Sequence, residues 1–240
     1  MRVDRIDERR GGVWMKLNIM TWNTGITENL NDEEKCMQIL NFIVEFLKKE
    51  NSIVFLQQIV FKNPNNWEEH EIFTKLKEKF NNGYTMKYYK KSTYMMTIAI
   101  TKTEKNKPLN YLDNGYYPID TPLNRAIAVE YLGISFLGIH AENGNKNQKY
   151  LNSLHGKADI ILGDFNAGNY LESENRYTFN QILKEHVCIC NLPTKETSSR
   201  RTCIDHIFVR QDMITKCSNV IVHEEIKLSD HFPVSFEYEK

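Results

Sequence analysis

The sequence lacks an excess of either charge, because 31 Lys and Arg residues balance 31 Asp and Glu residues over 240 positions. A neutral chain cannot hold nucleic acid mainly through bulk positive charge, so only local basic patches remain as surfaces of that kind.

The sequence also lacks an apolar run near the roughly 18 residues that a membrane span requires. Residues 1–14 are polar and charged, without the apolar core of a signal peptide. We therefore expect a cytoplasmic protein with no membrane partner.

Cysteine is scarce and follows neither a metal-binding nor a disulfide pattern. The count is odd, no CxxC pair occurs, and the residues are Cys36, Cys188, Cys190, Cys203 and Cys217. This usage favours reduced thiols and supports the cytoplasmic assignment. Cys188 and Cys190 flank Ile189 in an apolar run, which indicates buried strand residues rather than metal ligands.

No internal repeat, low-complexity stretch or linker divides the sequence. With 41% hydrophobic and 26% charged residues, the composition is that of an ordinary globular domain. A chain of 240 residues is short enough to fold around one core. We expect a single, monomeric domain over residues 15–240, preceded by a leader or tag-like appendage over residues 1–14.

Apolar periodicity predicts an α/β fold. Short apolar or alternating runs indicate strands at 17–22, 52–58, 84–89, 94–101, 125–132, 134–140, 158–162, 203–209, 220–223 and 233–238. Helical spacing indicates a helix after a capping box of Asn31 and Glu34, and others at 67–80, 148–154 and 176–186. Strands and helices alternate irregularly, which favours a four-layer sandwich of two mixed β-sheets flanked by helices.

Short polar clusters occur at the ends of the predicted strands, where α/β folds place functional groups. In chain order they are Trp22-Asn23, Leu56-Gln57-Gln58, Gly138-Ile139-His140, Gly163-Asp164-Phe165-Asn166, Ile204-Asp205-His206 and Ser229-Asp230-His231. Carboxylates and amides suit a hard cation, and histidines suit proton transfer. Taken singly, each cluster also fits an ordinary turn or a packed strand end. The occurrence of all six together favours a functional site.

The six clusters resemble those of the endonuclease/exonuclease/phosphatase superfamily. The family pattern runs from a strand ending in W/F-N through L-Q-E, a strand-end His and G-D-F-N to I-D-x-I and S-D-H. The similarity extends from about residue 16 to residue 238, which is nearly the whole chain. It implies a metal-dependent phosphoesterase, and a nuclease acting on DNA or RNA is the favoured form.

The resemblance also implies a role for each matching residue. His231 would be the general base that helps water attack phosphorus, and Asp205 would orient its imidazole. His140 would bind the phosphate and stabilise the developing negative charge. Asp164 and Asn166 would position the attacking water and a phosphate oxygen.

Three further positions, Asn23, Gln58 and Asp230, would surround Mg²⁺ or Mn²⁺. Position 58 departs from the family pattern, which has Glu there, so an amide of the same shape replaces the main carboxylate ligand. Gln57 cannot replace it, since neighbouring side chains on a strand point to opposite faces. Either the Gln was introduced deliberately to inactivate the protein, or the chain is a naturally weak or inactive homologue.

The sequence defines the substrate less well. Arg200 and Arg201, close to the Asp205 cluster, would clamp a phosphate, although a solvated loop explains them too. Tyr88, Tyr89 and Tyr94 stand near lysines and are candidates for stacking on bases, although strand aromatics more often pack in a sheet. Three functions therefore stay open: a nuclease, a phosphatase or phosphodiesterase for a small or lipid substrate, and a non-catalytic binding protein.

Overall fold

The computed structural model of the protein describes residues 15–28, 32–63, 68–89, 94–118, 122–154, 156–167, 172 and 179–240. The expected leader at 1–14 and the expected capping residue Asn31 lie outside these residues. Among the described helices, none is long and apolar enough to cross a membrane.

The described part of the chain alternates short strands with few helices. The strands are β1 (Lys16–Asn23), β2 (Ser52–Val60), β3 (Tyr84–Tyr88), β4 (Met95–Lys102), β5 (Leu109–Tyr111), β6 (Ala126–Tyr131), β7 (Ile134–His140), β8 (Ile160–Asp164), β9 (His186–Cys188), β10 (Lys195–Glu196), β11 (Arg201–Thr202), β12 (Asp205–Arg210), β13 (Cys217–Val222) and β14 (Val234–Glu239). The α-helices are α1 (Glu33–Leu47), α2 (Glu71–Lys79) and α3 (Asn147–Asn152), and residues 179–182 are also helical. Short 3-10 turns lie at Ile26–Glu28, Asn114–Tyr116, Leu123–Arg125, Gly144–Lys146 and Gln211–Lys216.

Two mixed sheets of six strands each form the centre of the fold. The first has the order β13-β14-β1-β2-β4-β3, and the second has the order β5-β6-β7-β8-β12-β9. Their parallel pairs are β1–β2 and β7–β8, and the other neighbours are antiparallel. The predicted α/β sandwich of two mixed sheets is therefore confirmed. The ends of β1 and β8 meet through a hydrogen bond between Asn23 and Asp164, which brings the carboxyl ends of both parallel pairs to one edge.

Three apolar layers hold the sheets and helices together. Ile19, Phe55 and Phe136 belong to the cluster between the two sheets. On the outer face of the first sheet, Trp22 belongs to the cluster that includes α1 and α2. The outer face of the second sheet packs with α3 and the helical residues 179–182. Three such interfaces separate four layers, as the predicted sandwich requires.

Helix α1 shows how the sequence pattern builds an outer layer. The Asp32 carboxylate accepts a hydrogen bond from the Lys35 amide at 2.9 Å, which satisfies one of the N–H groups that a helix start leaves free. Ile39, Leu40 and Ile43 recur at helical spacing and are completely buried. This apolar stripe therefore seats the helix on the first sheet.

Several local features differ from the sequence expectation. Strand β2 runs through Gln58 to Val60, because a bulge shifts its register against β4. The hairpin of β10 and β11 was not predicted. Of the predicted helix 176–186, the described residues 179–182 are helical, and His186 already begins β9.

Candidate active site

Three of the predicted site residues form one row across the second sheet. His140 at the end of β7 pairs with Asp164 at the end of β8, and Asp164 pairs with Asp205 at the start of β12. Gly163 makes this row tight, because its φ is +136° and an added Cβ would lie 2.0 Å from the Ile139 carbonyl oxygen. Glycine is therefore required where β8 approaches β7.

His231 and Asp205 form a buried pair. His231 Nδ1 lies 2.8 Å from Oδ2 and 3.0 Å from Oδ1 of Asp205. Thr194 fixes the carboxylate, since its hydroxyl donates to Oδ2 at 2.8 Å and accepts from the Asp205 amide at 3.0 Å. The predicted contact between Asp205 and His231 is confirmed. Because Nδ1 of His231 faces Asp205, the other ring nitrogen, Nε2, faces Asp164 and lies 3.8 Å from its Oδ2.

Asp164 lies between the two histidines and also joins the two sheets. Its Oδ2 is 3.8 Å from Nε2 of both His140 and His231. The same oxygen accepts a hydrogen bond from the Asn23 side-chain amide at 2.8 Å, and Oδ1 accepts from the Asn166 backbone amide at 2.8 Å. Burial raises the pKa of Asp164 to about 6, so this carboxylate is ionised only above that pH.

The two asparagines are held in place by hydrogen bonds to the backbone. Asn166 has a left-handed backbone with φ of 46°, which Asn tolerates better than most residues. Its side chain donates to the Ala141 carbonyl at 2.9 Å. The Asn23 Oδ1 accepts from the Gly25 amide at 3.2 Å, and an amide oxygen has a second lone pair to offer.

His140 is neutral in this site. Burial, together with the Arg125 guanidinium, lowers the pKa of His140 to about 3. Arg125 donates hydrogen bonds to the carbonyls of His140 and Ala141 at 3.3 and 3.1 Å. A neutral imidazole keeps one N–H donor, which is the group that a phosphate oxygen needs. Arg125 was not identified from the sequence, because no motif distinguishes it from an ordinary strand-start residue.

His231 has the opposite electrostatics. Burial acts to lower its pKa, but the Asp205 and Asp164 carboxylates outweigh burial and raise the pKa of His231 to about 9. The neutral ring is therefore a strong proton acceptor. Neighbouring titratable groups whose pKa values move in opposite directions are typical of acid–base sites.

Lys195 is a site residue that the sequence did not reveal. Its Nζ lies 2.7 Å from Asp230 Oδ2 and 3.0 Å from His231 Nε2, and its backbone forms a bridge with His231. Burial acts to raise the pKa of Asp230, but the Lys195 hydrogen bond and the His231 charge lower it overall. In the sequence this lysine stands in a short polar stretch, Thr194-Lys195-Glu196-Thr197, which resembles a surface turn.

Gln58 has an unusual backbone for a strand residue. Its φ is 55° at the bulge of β2, and such a conformation costs about 1–3 kcal/mol and is concentrated at functional sites. Its side chain is partly exposed. Gln57 is buried instead, and its amide donates to the Thr21 hydroxyl at 3.1 Å. The alternation along the strand therefore separates the two glutamines, as predicted.

The donor set fits a hard cation in type but is short of negative charge. Within the described residues, Asp164, Asp205 and His231 form a group whose ligand atoms lie within 4.8 Å of one another. His231 and Asp205 already satisfy each other, which leaves Asp164 as the available carboxylate of the group. Asp230 and Gln58 add partly exposed oxygens, but Asp230 is engaged in an ion pair and Gln58 is uncharged. Oxygen donors are the ligands that Mg²⁺ prefers, so these residues can hold such an ion weakly.

The two predicted phosphate-binding arginines are paired with acidic residues. Arg200 Nη2 lies 3.3 Å from Glu172, and Arg201 Nη2 lies 2.7 Å from Glu224. The Arg201 guanidinium also lies 5.9 Å from the centre of the Phe232 ring. All four charged side chains are exposed, so the pairs contribute little stability and phosphate can replace the carboxylates. The phosphate-binding role stays a prediction.

Comparisons with known proteins show what the fold is similar to. No protein-family model and no curated protein matches the sequence. Among solved structures, TDP2 of D. rerio, humanized by 14 mutations, has a TM-score of 0.67 and 16% identity, covering 94% of this chain and 99% of that chain. The 3′ phosphatase NExo from Neisseria, bound to product DNA hairpin, has a TM-score of 0.62 and 18% identity, with coverage of 92% and 99%. An endonuclease/exonuclease/phosphatase family protein from Leptotrichia buccalis has a TM-score of 0.59 and 16% identity, with coverage of 93% and 100%.

Proposed function

Since the chain has the fold of the endonuclease/exonuclease/phosphatase superfamily, we propose that it hydrolyses phosphodiester bonds in DNA or RNA with the help of a divalent cation. The observation that carries this proposal is the buried pair of His231 and Asp205 beside Asp164. The Asp205 carboxylate holds the His231 imidazole, a strong base, through Nδ1. The other ring nitrogen, Nε2, lies 3.8 Å from the Asp164 carboxylate. Water placed at that nitrogen is set up for deprotonation.

The proposed reaction is direct hydrolysis. His231 Nε2 takes a proton from water as the water oxygen bonds to phosphorus and the P–O bond to the leaving group breaks. The leaving oxygen takes a proton from solvent, so the products are an alcohol and a phosphomonoester. Asp205 stabilises the imidazolium that forms, and neutral His140 donates to a phosphate oxygen as its negative charge grows. Asp164 and Asn166 orient the water and a phosphate oxygen. Because water is the nucleophile, no covalent intermediate forms.

Asp230, Gln58 and Asn23 would hold Mg²⁺ or Mn²⁺. When bound, the ion supplies positive charge that stabilises the transition state. Of these three ligands, Asp230 alone carries a negative charge. We therefore expect weak metal binding and slow turnover in the protein with Gln58, and stronger binding after Gln58→Glu.

The pH dependence of the reaction follows from two raised pKa values. A base works only when deprotonated, and the pKa of His231 is raised to about 9 while that of Asp164 is raised to about 6. Lowering the pH through this range protonates first the base and then the carboxylate. We expect kcat/KM of the Gln58→Glu protein to rise from pH 6 to pH 9, measured with one oligonucleotide at constant ionic strength. A rate that falls over this range would show that His231 is not the base.

Nucleic acid is the substrate that the surface beside the site supports. Arg200 and Arg201 lie in exposed ion pairs that phosphate can replace, and one of the similar structures, NExo, is bound to product DNA hairpin. The chain is neutral overall, so local contacts of this kind have to supply most of the attraction for a polyanion.

Replacing Arg200 and Arg201 together with Ala is expected to raise KM for polynucleotides about tenfold and to flatten its salt dependence. Metal binding should not change. The measurement is KM at several salt concentrations in the Gln58→Glu background. Arg210→Ala is a matched control, because Arg210 also forms surface ion pairs, with Asp159 and Asp212. An unchanged KM and salt slope in the double variant would remove both arginines from the substrate interface.

A second candidate function is a binding protein without catalysis. Gln58 and the ion pair between Asp230 and Lys195 favour it, because both weaken the metal site. This candidate predicts that Gln58→Glu binds nucleic acid without cleaving it. A comparison of polynucleotides, inositol phosphates and phosphomonoesters under one set of metal conditions tests both functions. Preference for the small substrates would replace the nuclease assignment with a phosphatase.

A further inference from the structure

The Lys195 ammonium occupies the space between the base and the partly exposed carboxylate of the site. Its Nζ donates to Asp230 at 2.7 Å and lies 3.0 Å from His231 Nε2. The lysine side chain is 26% exposed, so it is accessible to a ligand entering from solvent. When the His231 ring is neutral and carries its proton on Nδ1, facing Asp205, the ammonium can donate an N–H to Nε2. That N–H then covers the lone pair that has to receive the proton from water.

We propose that Lys195 is the phosphate-binding cation of the site, and that phosphate draws it away from His231 Nε2. This inference rests on the proposed function, because its ligand is the phosphodiester of the substrate. The neutral base is then covered in the protein without phosphate and becomes free only when a phosphate is in place.

The charges around the site support this assignment. Three carboxylates, those of Asp164, Asp205 and Asp230, lie within 3.8 Å of the His231 ring nitrogens, and they repel an anion. His140 is neutral and offers a hydrogen bond but no charge. The Arg125 guanidinium is turned to backbone carbonyls.

Other cations near the site have partners of their own. Arg200 and Arg201 pair with exposed carboxylates outside the row of site residues. In the described part of the chain, Lys195 is the cation whose head group lies within hydrogen-bond distance of the base.

The donor capacity of the ammonium makes the exchange possible. A lysine ammonium has three N–H donors, and its contacts with Asp230 and His231 use two. A phosphate oxygen can take the third donor first and then replace the imidazole nitrogen, since a charge-assisted hydrogen bond to phosphate is stronger than one to a neutral ring. The contact with Asp230 keeps the lysine anchored throughout.

The test is the binding of inorganic phosphate to the metal-free protein, followed by titration and by ¹⁵N NMR of labelled histidine. Lys195→Met is expected to weaken phosphate binding about tenfold or more, and Lys195→Arg should retain most of it. Lys227→Met is the matched control, because Lys227 forms a comparable but more exposed ion pair, with Glu196 at 2.7 Å. Phosphate should shift the His231 Nε2 resonance in the unsubstituted protein and in Lys227→Met, but not in Lys195→Met.

Equal phosphate affinity in Lys195→Met and the unsubstituted protein would overturn the inference, as would the absence of any phosphate binding. Lys195→Gln keeps a polar side chain and replaces Lys195→Met if that variant fails to fold. The two proposals fail separately. Phosphate binding through Lys195 without cleavage by Gln58→Glu would remove the nuclease assignment alone. Cleavage by Gln58→Glu with KM unchanged in Lys195→Met would remove the role of Lys195 alone.

Discussion

Gln58→Glu is expected to raise the Mg²⁺-dependent rate of phosphodiester cleavage by about two to three orders of magnitude. A metal ion contributes several kcal/mol of charge stabilisation to a transition state, and about 1.4 kcal/mol corresponds to a factor of ten in rate. The substitution adds a negative charge at position 58 without changing the shape of the side chain. The left-handed backbone at position 58, with φ of 55°, accepts Glu as readily as Gln, so the fold should not change.

The measurement is single-turnover cleavage of a labelled oligonucleotide across a Mg²⁺ titration, with Mn²⁺ in parallel. Gln148→Glu makes the same chemical change on the exposed face of α3 and should have no effect. An increase confined to Gln58→Glu, together with tighter Mn²⁺ binding, would identify position 58 as a metal ligand. Full activity of the Gln58 protein, unchanged by the substitution, would show that another group holds the metal.

The order of the motifs predicts the fold because the motifs stand at the termini of buried strands: His140 and Asp164 end β7 and β8, and Asp205 begins β12. These three residues are registered partners on neighbouring strands, so the sequence at each strand terminus also assembles the row. Gly163 also contributes to this row, because β8 approaches β7 so closely that no side chain fits at that position. Here local sequence and global structure agree, and prediction from the residues succeeds.

Prediction fails where a residue reaches the site only through long-range contacts. Lys195 begins a two-residue strand, and Thr194 directly precedes it. So short a strand shows no apolar periodicity. The importance of both residues comes from hydrogen bonds to Asp205 and His231, the latter 36 positions away in the chain. Arg125 likewise acts through backbone carbonyls 15 and 16 positions away. No spacing rule relates such positions, because the pairing is fixed by the sheet register.

The second large effect on the cleavage rate concerns the buried pair of His231 and Asp205. In the Gln58→Glu background, His231→Gln is expected to lower kcat by about two to four orders of magnitude, the usual contribution of a positioned general base. His223→Gln is the control, because His223 bonds to Ser235 at 2.8 Å and to Glu225 at 3.2 Å, neither of which is a site residue. Cleavage rates at saturating substrate, with folding checked by circular dichroism, give the comparison.

Asp205→Asn is expected to lower kcat nearly as much as His231→Gln, because it changes the hydrogen bonds that hold the His231 ring. Asp205 Oδ2 accepts from Thr194 at 2.8 Å and from His231 Nδ1 at 2.8 Å, and Oδ1 also lies 3.0 Å from Nδ1. An amide whose oxygen keeps the Thr194 bond presents its NH₂ to Nδ1, so the ring becomes protonated at Nε2 and loses its ability to accept a proton from water. Because both substitutions remove the same function, the double variant should be no slower than the slower single variant. Multiplicative losses in the double variant would mean that Asp205 acts independently of His231, and the pair would then not be the base of the reaction.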